Sequence, residues 1–178
     1  SELEDIIRRI EEVLKRNEEL NRKNIKESRD LLEEIRRKAK EDSDRVKEVL
    51  RRLEDEVRRN ELPKEELERK LKEVLDRSKR SSEELKRDVE RVLEDSERSV
   101  REVVKRDEDS LREIEKLVKE RADEEVKRKV DKVVEDIKRV SEESTRANDE
   151  SRRALEKVVK ENEDTNREVV KRVRDAEK

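Results

Sequence analysis

The first third of this chain carries a regular series of positions whose spacing alternates between four and three residues. The series reads Leu3, Ile7, Ile10, Leu14, Asn17, Asn21, Asn24, Ser28, Leu31 and Ile35. A repeat of 3.5 residues places these positions on one face of an α-helix and is typical of helices that pack in coiled coils. Two successive steps of four, from Ile35 to Ala39 to Ser43, straighten the helix locally before the series runs on to Val57. We call this series the first seam, and it predicts one long helix.

Two further seams follow with the same spacing. The second contains Leu67, Leu71, Val74, Ser78, Ser81, Leu85, Val89, Val92, Ser96, Ser99, Val103, Asp107, Ser110, Ile114 and Val118. The third contains Val126, Val130, Val133, Ile137, Val140, Ser144, Asn148, Ser151, Leu155, Val158, Asn162, Thr165, Val169, Val173 and Ala176. Each seam predicts a helix with one face turned toward a core.

The seams are separated by two interruptions, each of which predicts a turn. The first contains Pro63, which is tolerated in the first turn of a helix but not in its interior. At the second, the next two seam positions would be the charged residues Arg121 and Glu125, and the local sequence resembles the start after the first turn. A capping-box pattern at Ser110–Glu113 is a rival turn, but the second seam passes through it in phase.

Three segments of nearly equal length joined by short loops must run antiparallel to their neighbours. The predicted fold class is therefore all-α: an antiparallel up-down-up three-helix bundle of long helices with coiled-coil-like packing. We predict one domain over residues 1–178, with helices over about 2–60, 63–119 and 123–177.

The high charge raises disorder as an alternative. Charged residues make up 60% of the chain and hydrophobic residues 28%. Disordered chains are usually rich in Pro, Gly, Ser and Gln, whereas this chain has one Pro and no Gly. High charge combined with a sustained helical repeat is typical of coiled coils, so a folded bundle is the favoured interpretation.

The residue types that are absent exclude most kinds of chemical site. The sequence contains no Cys, His, Gly, Met, Phe, Trp or Tyr, and no Gln. Without His and Cys it lacks the commonest general base, the thiol nucleophile and the usual transition-metal ligands. Without Gly it lacks phosphate-binding loops, and without aromatic residues it lacks base stacking. We therefore expect no enzymatic activity, no cofactor and no metal.

Charge and hydropathy also bear on partners and location. The chain has a net charge of -3, and its basic runs at 36–38 and 77–80 are flanked by acidic residues, so we expect no nucleic-acid partner. No apolar run exceeds two residues, and we expect no membrane span and no signal peptide.

Little apolar content is left over to form an apolar stripe on the outer surface of the bundle. This favours a monomer that requires no partner, with an oligomer as the alternative, and we expect no natural location beyond the cytoplasm of an expression host.

Polar residues occupy many seam positions that coiled coils normally fill with apolar side chains. A buried polar group without a partner costs about 1–3 kcal/mol, so these residues are expected to bond to one another. The predicted structural network consists of Asn17, Asn21, Asn24, Ser28, Ser96, Ser99, Asp107, Ser144, Asn148, Ser43, Ser78, Ser81, Asn162 and Thr165. The alternative is that they are solvent-facing residues beside the seams.

The predicted turns bring these polar positions to common heights along the bundle. Asn17 is expected to face Asp107. A first cluster is expected to contain Asn24, Ser28, Ser96, Ser99, Ser144 and Asn148, and a second to contain Ser43, Ser78, Ser81 and Asn162, with Ser82 and Thr165 a turn away. In both, the hydrogen bonds should cross between helices.

With these features the chain resembles computationally designed single-chain helical bundles that carry hydrogen-bond networks in the core. The resemblance covers all 178 residues and rests on the restricted alphabet, the uncut seams, the Glu-Glu helix starts after Pro63 and Ala122, and the polar layers. It implies a scaffold without natural activity, whose network specifies helix register and pairing. A designed interaction module is the alternative function. The turn at Arg121-Ala122 departs from this family because it lacks Gly and Asp. A natural spectrin-type repeat is the rival family, but such repeats are richer in aromatic residues and Gln.

Overall fold

The structure, a computed structural model, describes residues 2–119 and 123–178, with side chains from residue 4 onward. These residues form three α-helices: α1 (Glu2–Arg58), α2 (Lys64–Lys119) and α3 (Glu124–Glu177). No strand occurs in the described ranges, and the three helices pack against one another. The predicted all-α three-helix bundle is therefore confirmed.

The helix α1 ends at Arg58, before the predicted end at residue 60. Asn60 lies just beyond this end. Its φ of 54° lies in the left-handed region, which Asn adopts more readily than most residues. The amide of Asn60 donates to the Val57 carbonyl and the amide of Glu61 donates to the Glu56 carbonyl, both at 3.1 Å. These two bonds satisfy carbonyls that the end of a helix would otherwise leave unpaired, in the arrangement known as a Schellman motif.

The starts of α2 and α3 have different caps. Pro63 precedes α2, and its carbonyl accepts the Leu67 amide at 3.0 Å. Because an amide at the start of a helix has no intrahelical acceptor, the missing amide of proline costs no hydrogen bond here. Asp123 precedes α3, and its side chain accepts the Glu125 amide at 3.5 Å, as an N-cap residue does. The predicted second turn at Arg121-Ala122 lies outside the described residues.

The contacts divide the chain into two compact units. Unit 1 comprises Ser1–Asp30 and Leu93–Arg152, and unit 2 comprises Leu31–Val92 and Arg153–Lys178. Each unit contains part of every helix. The prediction that residues 1–178 form one domain stays a prediction.

Each unit has its own apolar core, built from seam residues of all three helices. The core of unit 1 contains Ile10, Ile114, Val126, Val130, Val133 and Ile137. The core of unit 2 contains Val46, Leu50, Leu53, Leu71, Val74, Val169 and Val173. Each such side chain contributes about 1.5–3 kcal/mol when fully buried, so these clusters are the main source of helix pairing within each unit.

The first seam predicts that Leu31 faces the core, and this is wrong, because the residue is 39% exposed. In a straight helix, positions seven residues apart do not lie exactly above one another but are rotated by about 20° about the helix axis. Over the three repeats from Ile10 to Leu31 this rotation adds up to roughly 60°. Ile10 is therefore buried, Asn24 is half-buried and Leu31 is exposed, while the next residue, Leu32, is half-buried in its place. Steps of four follow from Leu31 onward and restore the phase, so that Ile35 is buried and Val46 is buried as well.

Candidate functional site

The polar residues on the seams form the candidate site, and in unit 1 they join all three helices through Asp107. Asn17 of α1 donates from Nδ2 to Asp107 Oδ1 at 2.8 Å. Ser141 of α3 donates its hydroxyl to Asp107 Oδ2. Asp107 is only 2% exposed and Asn17 only 5%. The structure thus places Asn17 opposite Asp107, where the sequence expected it, and adds Ser141.

A neighbouring hydroxyl completes this arrangement. Ser110 donates to the Arg106 carbonyl one turn earlier at 2.7 Å. Its oxygen therefore has a lone pair free to accept, and it lies 3.4 Å from Asn17 Nδ2. Both amide hydrogens of Asn17 thereby have an acceptor on α2, which holds the amide in one orientation.

Burial governs the charge of Asp107. Removal from water raises the pKa of the Asp107 carboxyl above its ordinary value of 3.8, while the hydrogen bonds from Ser141 and Asn17 lower it in part. In the described part of the chain, no Lys or Arg lies within ion-pair distance of this carboxylate. Asp107 is thus a buried acceptor held by neutral donors.

The first predicted cluster is joined by one cross-helix hydrogen bond. Ser96 of α2 donates to Asn148 Oδ1 of α3 at 2.5 Å. Beside it, Arg152 of α3 forms an ion pair with Glu97 of α2. These contacts tie α2 to α3 within unit 1.

Other members of that cluster are placed differently from the expectation. Asn24 is half-buried, and its Nδ2 has no hydrogen-bond partner. Ser28 and Ser99 are half-buried and Ser144 is buried, with no side-chain hydrogen bond among the described residues. Asn21 is only 2% exposed, yet its Oδ1 is also unpaired. The accumulated rotation of α1 accounts for Asn24, because it lies two heptads after Ile10.

In unit 2 the polar residues form a ladder between α2 and α3. Ser78 donates to Asn166 Oδ1 at 2.7 Å, and Ser82 donates to Asn162 Oδ1 at 2.6 Å. Asn166 Nδ2 in turn donates to the Ser82 hydroxyl at 2.7 Å. The sequence prediction included Ser78 and Asn162 in the network but missed Asn166 as a member. The signal that would have found it is the spacing of four, since residues i and i+4 of a helix share one face.

The remaining predicted members of the second cluster lie outside this ladder. Ser81 donates to Asp42 Oδ2 of α1 at 3.2 Å. Thr165 donates to the Glu161 carbonyl of its own helix at 3.0 Å, so its bond does not cross between helices as expected. Ser43 is half-buried and lines a groove with Asn162 and Thr165. The reason is that Ser82 and Asn166, each one position beyond the seam, occupy the contact between α2 and α3.

The chemistry available in these layers is limited to hydrogen bonding and one buried acid. No group of three or more Asp or Glu residues arranged to hold a metal ion occurs in residues 2–119 and 123–178. Within the same ranges no helix has an apolar stretch that could cross a membrane. A surface groove of unit 2 carries Arg45, Arg77 and Arg80 together with Glu73 and Glu84, so it presents charges of both signs.

No family model and no curated protein matches the chain. Among solved structures, the chain is similar to a computationally designed three-helix bundle, at 18% sequence identity and a TM-score of 0.45, over 99% of this chain and 84% of that one.

Proposed function

We propose that this chain is a designed structural scaffold without a natural biochemical activity, in which buried polar side chains specify how the helices pair. The observation that carries the proposal is the contact of Asn17 and Ser141 with Asp107, because these side chains come from three different helices. The composition supports it, since the sequence has neither His nor Cys.

The physical reason is specificity rather than absolute stability. Leu, Ile and Val side chains pack against one another in many arrangements of similar energy, whereas a buried amide needs a particular partner. An arrangement that separates Ser82 from Asn162, for example, leaves a buried polar group unpaired at a cost of about 1–3 kcal/mol. Replacing both partners by apolar residues removes this penalty from correct and incorrect arrangements alike.

The ladder of unit 2 provides the test. A variant with Ser78→Ala, Ser82→Ala, Asn162→Leu and Asn166→Leu removes its hydrogen bonds and adds apolar surface. We expect thermal stability to be equal or higher, but we expect mixed oligomers by light scattering and broadened amide resonances by NMR. A variant that remains a monomer with sharp resonances would contradict the proposal.

Two threonines provide a matched control. Thr145 and Thr165 each donate to a carbonyl of their own helix, at 3.0 Å in both cases. The double variant Thr145→Val and Thr165→Val therefore removes two hydroxyls without breaking a contact between helices. It should keep the oligomeric state and spectra of the parent protein.

A designed interaction module is the second candidate function. The exposed apolar side chains of Leu31 and Val170, at 39% and 37%, favour it, because exposed large apolar residues are available to a partner chain. The two candidates differ in the mass of the isolated protein. Light scattering across a range of concentrations should give the monomer mass for the scaffold and a rising mass for a self-associating module.

A further inference from the structure

Asp107 differs from the paired surface acids of this chain, because it is buried and bonded only to neutral groups. Surface carboxylates such as Asp109 lie near an arginine, in that case Arg112 at 3.8 Å. The groups that face Asp107 are the Asn17 amide from α1 and the Ser141 hydroxyl from α3. Neither group titrates, and in the described ranges no charged side chain of any helix lies within ion-pair distance of Asp107.

A buried carboxylate without a cation is costly in its ionised form. It can lower that cost by taking up a proton, provided that the neutral acid also finds hydrogen-bond partners. A protonated carboxyl is both a donor and an acceptor, so it needs one neighbour that can accept. A hydroxyl satisfies this requirement because it can donate or accept, whereas an ammonium or guanidinium group cannot.

The hydroxyl of Ser141 occupies the required position. When a proton binds Asp107 Oδ2, an O–H bond forms there and can donate to Ser141 Oγ. The hydroxyl hydrogen of Ser141 is then released to donate to the Ile137 carbonyl one turn earlier. Ser110 and Thr145 make the same kind of bond in their own helices, at 2.7 and 3.0 Å. Asn17 continues to donate to Oδ1 in either state.

We propose that the cluster of Asn17, Asp107 and Ser141 is a proton-uptake site that connects the three helices of unit 1 in both charge states and couples their stability to pH. One proton is taken up, one hydrogen bond reverses its direction and none is lost. The proposal concerns a proton equilibrium, and it stands whether or not the polar layers specify helix pairing.

The direction of the coupling follows from linkage. Burial raises the pKa of Asp107 in the folded state above the ordinary value of 3.8, so the folded state binds this proton more readily than the unfolded state does. The stabilising effect of protonation is absent well above the pKa of folded Asp107 and grows as the pH falls through it. It levels off below about 3.8, where the unfolded chain is protonated as well.

The first test follows the Asp107 carboxyl carbon by NMR as the pH is lowered. Its resonance should shift at a pH clearly above 3.8. It should shift at a still higher pH in Ser141→Ala, because the bond that Ser141 donates to the ionised carboxylate is stronger than the bond that it accepts from the neutral acid. A purely structural role for Ser141 would leave the titration unchanged. Titration of Asp107 at or below 3.8 in the parent protein would overturn the proposal.

The second test compares Asp107→Asn with Asp109→Asn in urea unfolding at several pH values. The stability of the parent protein relative to Asp107→Asn should rise as the pH falls, while the comparison with Asp109→Asn should show no such rise. An equal response of the two variants would contradict the coupling. If Asp107→Asn does not fold, as judged by its helicity, the carboxyl titration of the parent protein decides the question alone.

Discussion

Replacing Asn17 by Ala isolates the hydrogen bond on which the polar layer of unit 1 depends. The change removes the donor that lies 2.8 Å from Asp107 Oδ1 and leaves a buried carboxylate with one donor fewer. A hydrogen bond to a charged acceptor contributes about 1.5–3 kcal/mol. We expect Asn17→Ala to lower the free energy of unfolding at pH 7 by at least that amount, since packing is lost as well.

Asn21 supplies the matched control for this measurement. It is as deeply buried as Asn17, at 2% against 5% exposed, but its Oδ1 has no partner. Asn21→Ala therefore loses similar packing without breaking a bond to a charged group. In urea denaturation followed by circular dichroism, Asn17→Ala should cost more than Asn21→Ala by about 1.5–3 kcal/mol.

A double-mutant cycle separates the hydrogen bond from the packing. In an Asp107→Asn background the acceptor is neutral, and the cost of Asn17→Ala should fall because a neutral hydrogen bond contributes only about 0.5–1.5 kcal/mol. Equal costs for Asn17→Ala and Asn21→Ala at pH 7, or an unchanged cost in the Asp107→Asn background, would refute the assignment of Asn17 as the donor that supports the buried charge.

Two further predictions concern single positions. Asn21→Leu should raise the free energy of unfolding by about 1–3 kcal/mol, because it replaces a buried unpaired amide with an apolar side chain; a lower urea midpoint than that of the parent would contradict this. Asn60→Gly should raise the free energy of unfolding by up to about 1 kcal/mol, because glycine adopts the left-handed conformation of this helix end without steric cost. Asn60→Val should instead lower the melting temperature. Equal melting temperatures for the two variants would show that the φ of 54° at this position does not affect stability.

The sequence alone determined the helical architecture. The spacing of Leu, Ile and Val residues defined three helices, because the 3.6-residue period of an α-helix leaves no other way to gather these side chains on one face. Pro63 marked the first turn, since proline cannot continue a helix. Equal lengths then required neighbouring helices to run antiparallel, and this level of description follows from chain geometry and composition.

The heights of some polar residues along the helices could also be predicted from the sequence. Counting from the predicted turns placed Asn17 opposite Asp107, and the structure joins them by a hydrogen bond. It also placed Ser96 beside the level of Asn148, where the structure has a hydrogen bond of 2.5 Å. Such counting is accurate to about one helical turn, or 5.4 Å.

Only the tertiary structure decided which side chains meet. A hydrogen bond requires heavy atoms within about 3 Å, which is finer than one turn of a helix, so counting could not distinguish Thr165 from Asn166 as the partner of Ser78. The seams likewise could not predict how far each helix is rotated about its own axis. A drift of about 20° per heptad is too small to appear in a local pattern, yet over three repeats it moves Leu31 to the surface.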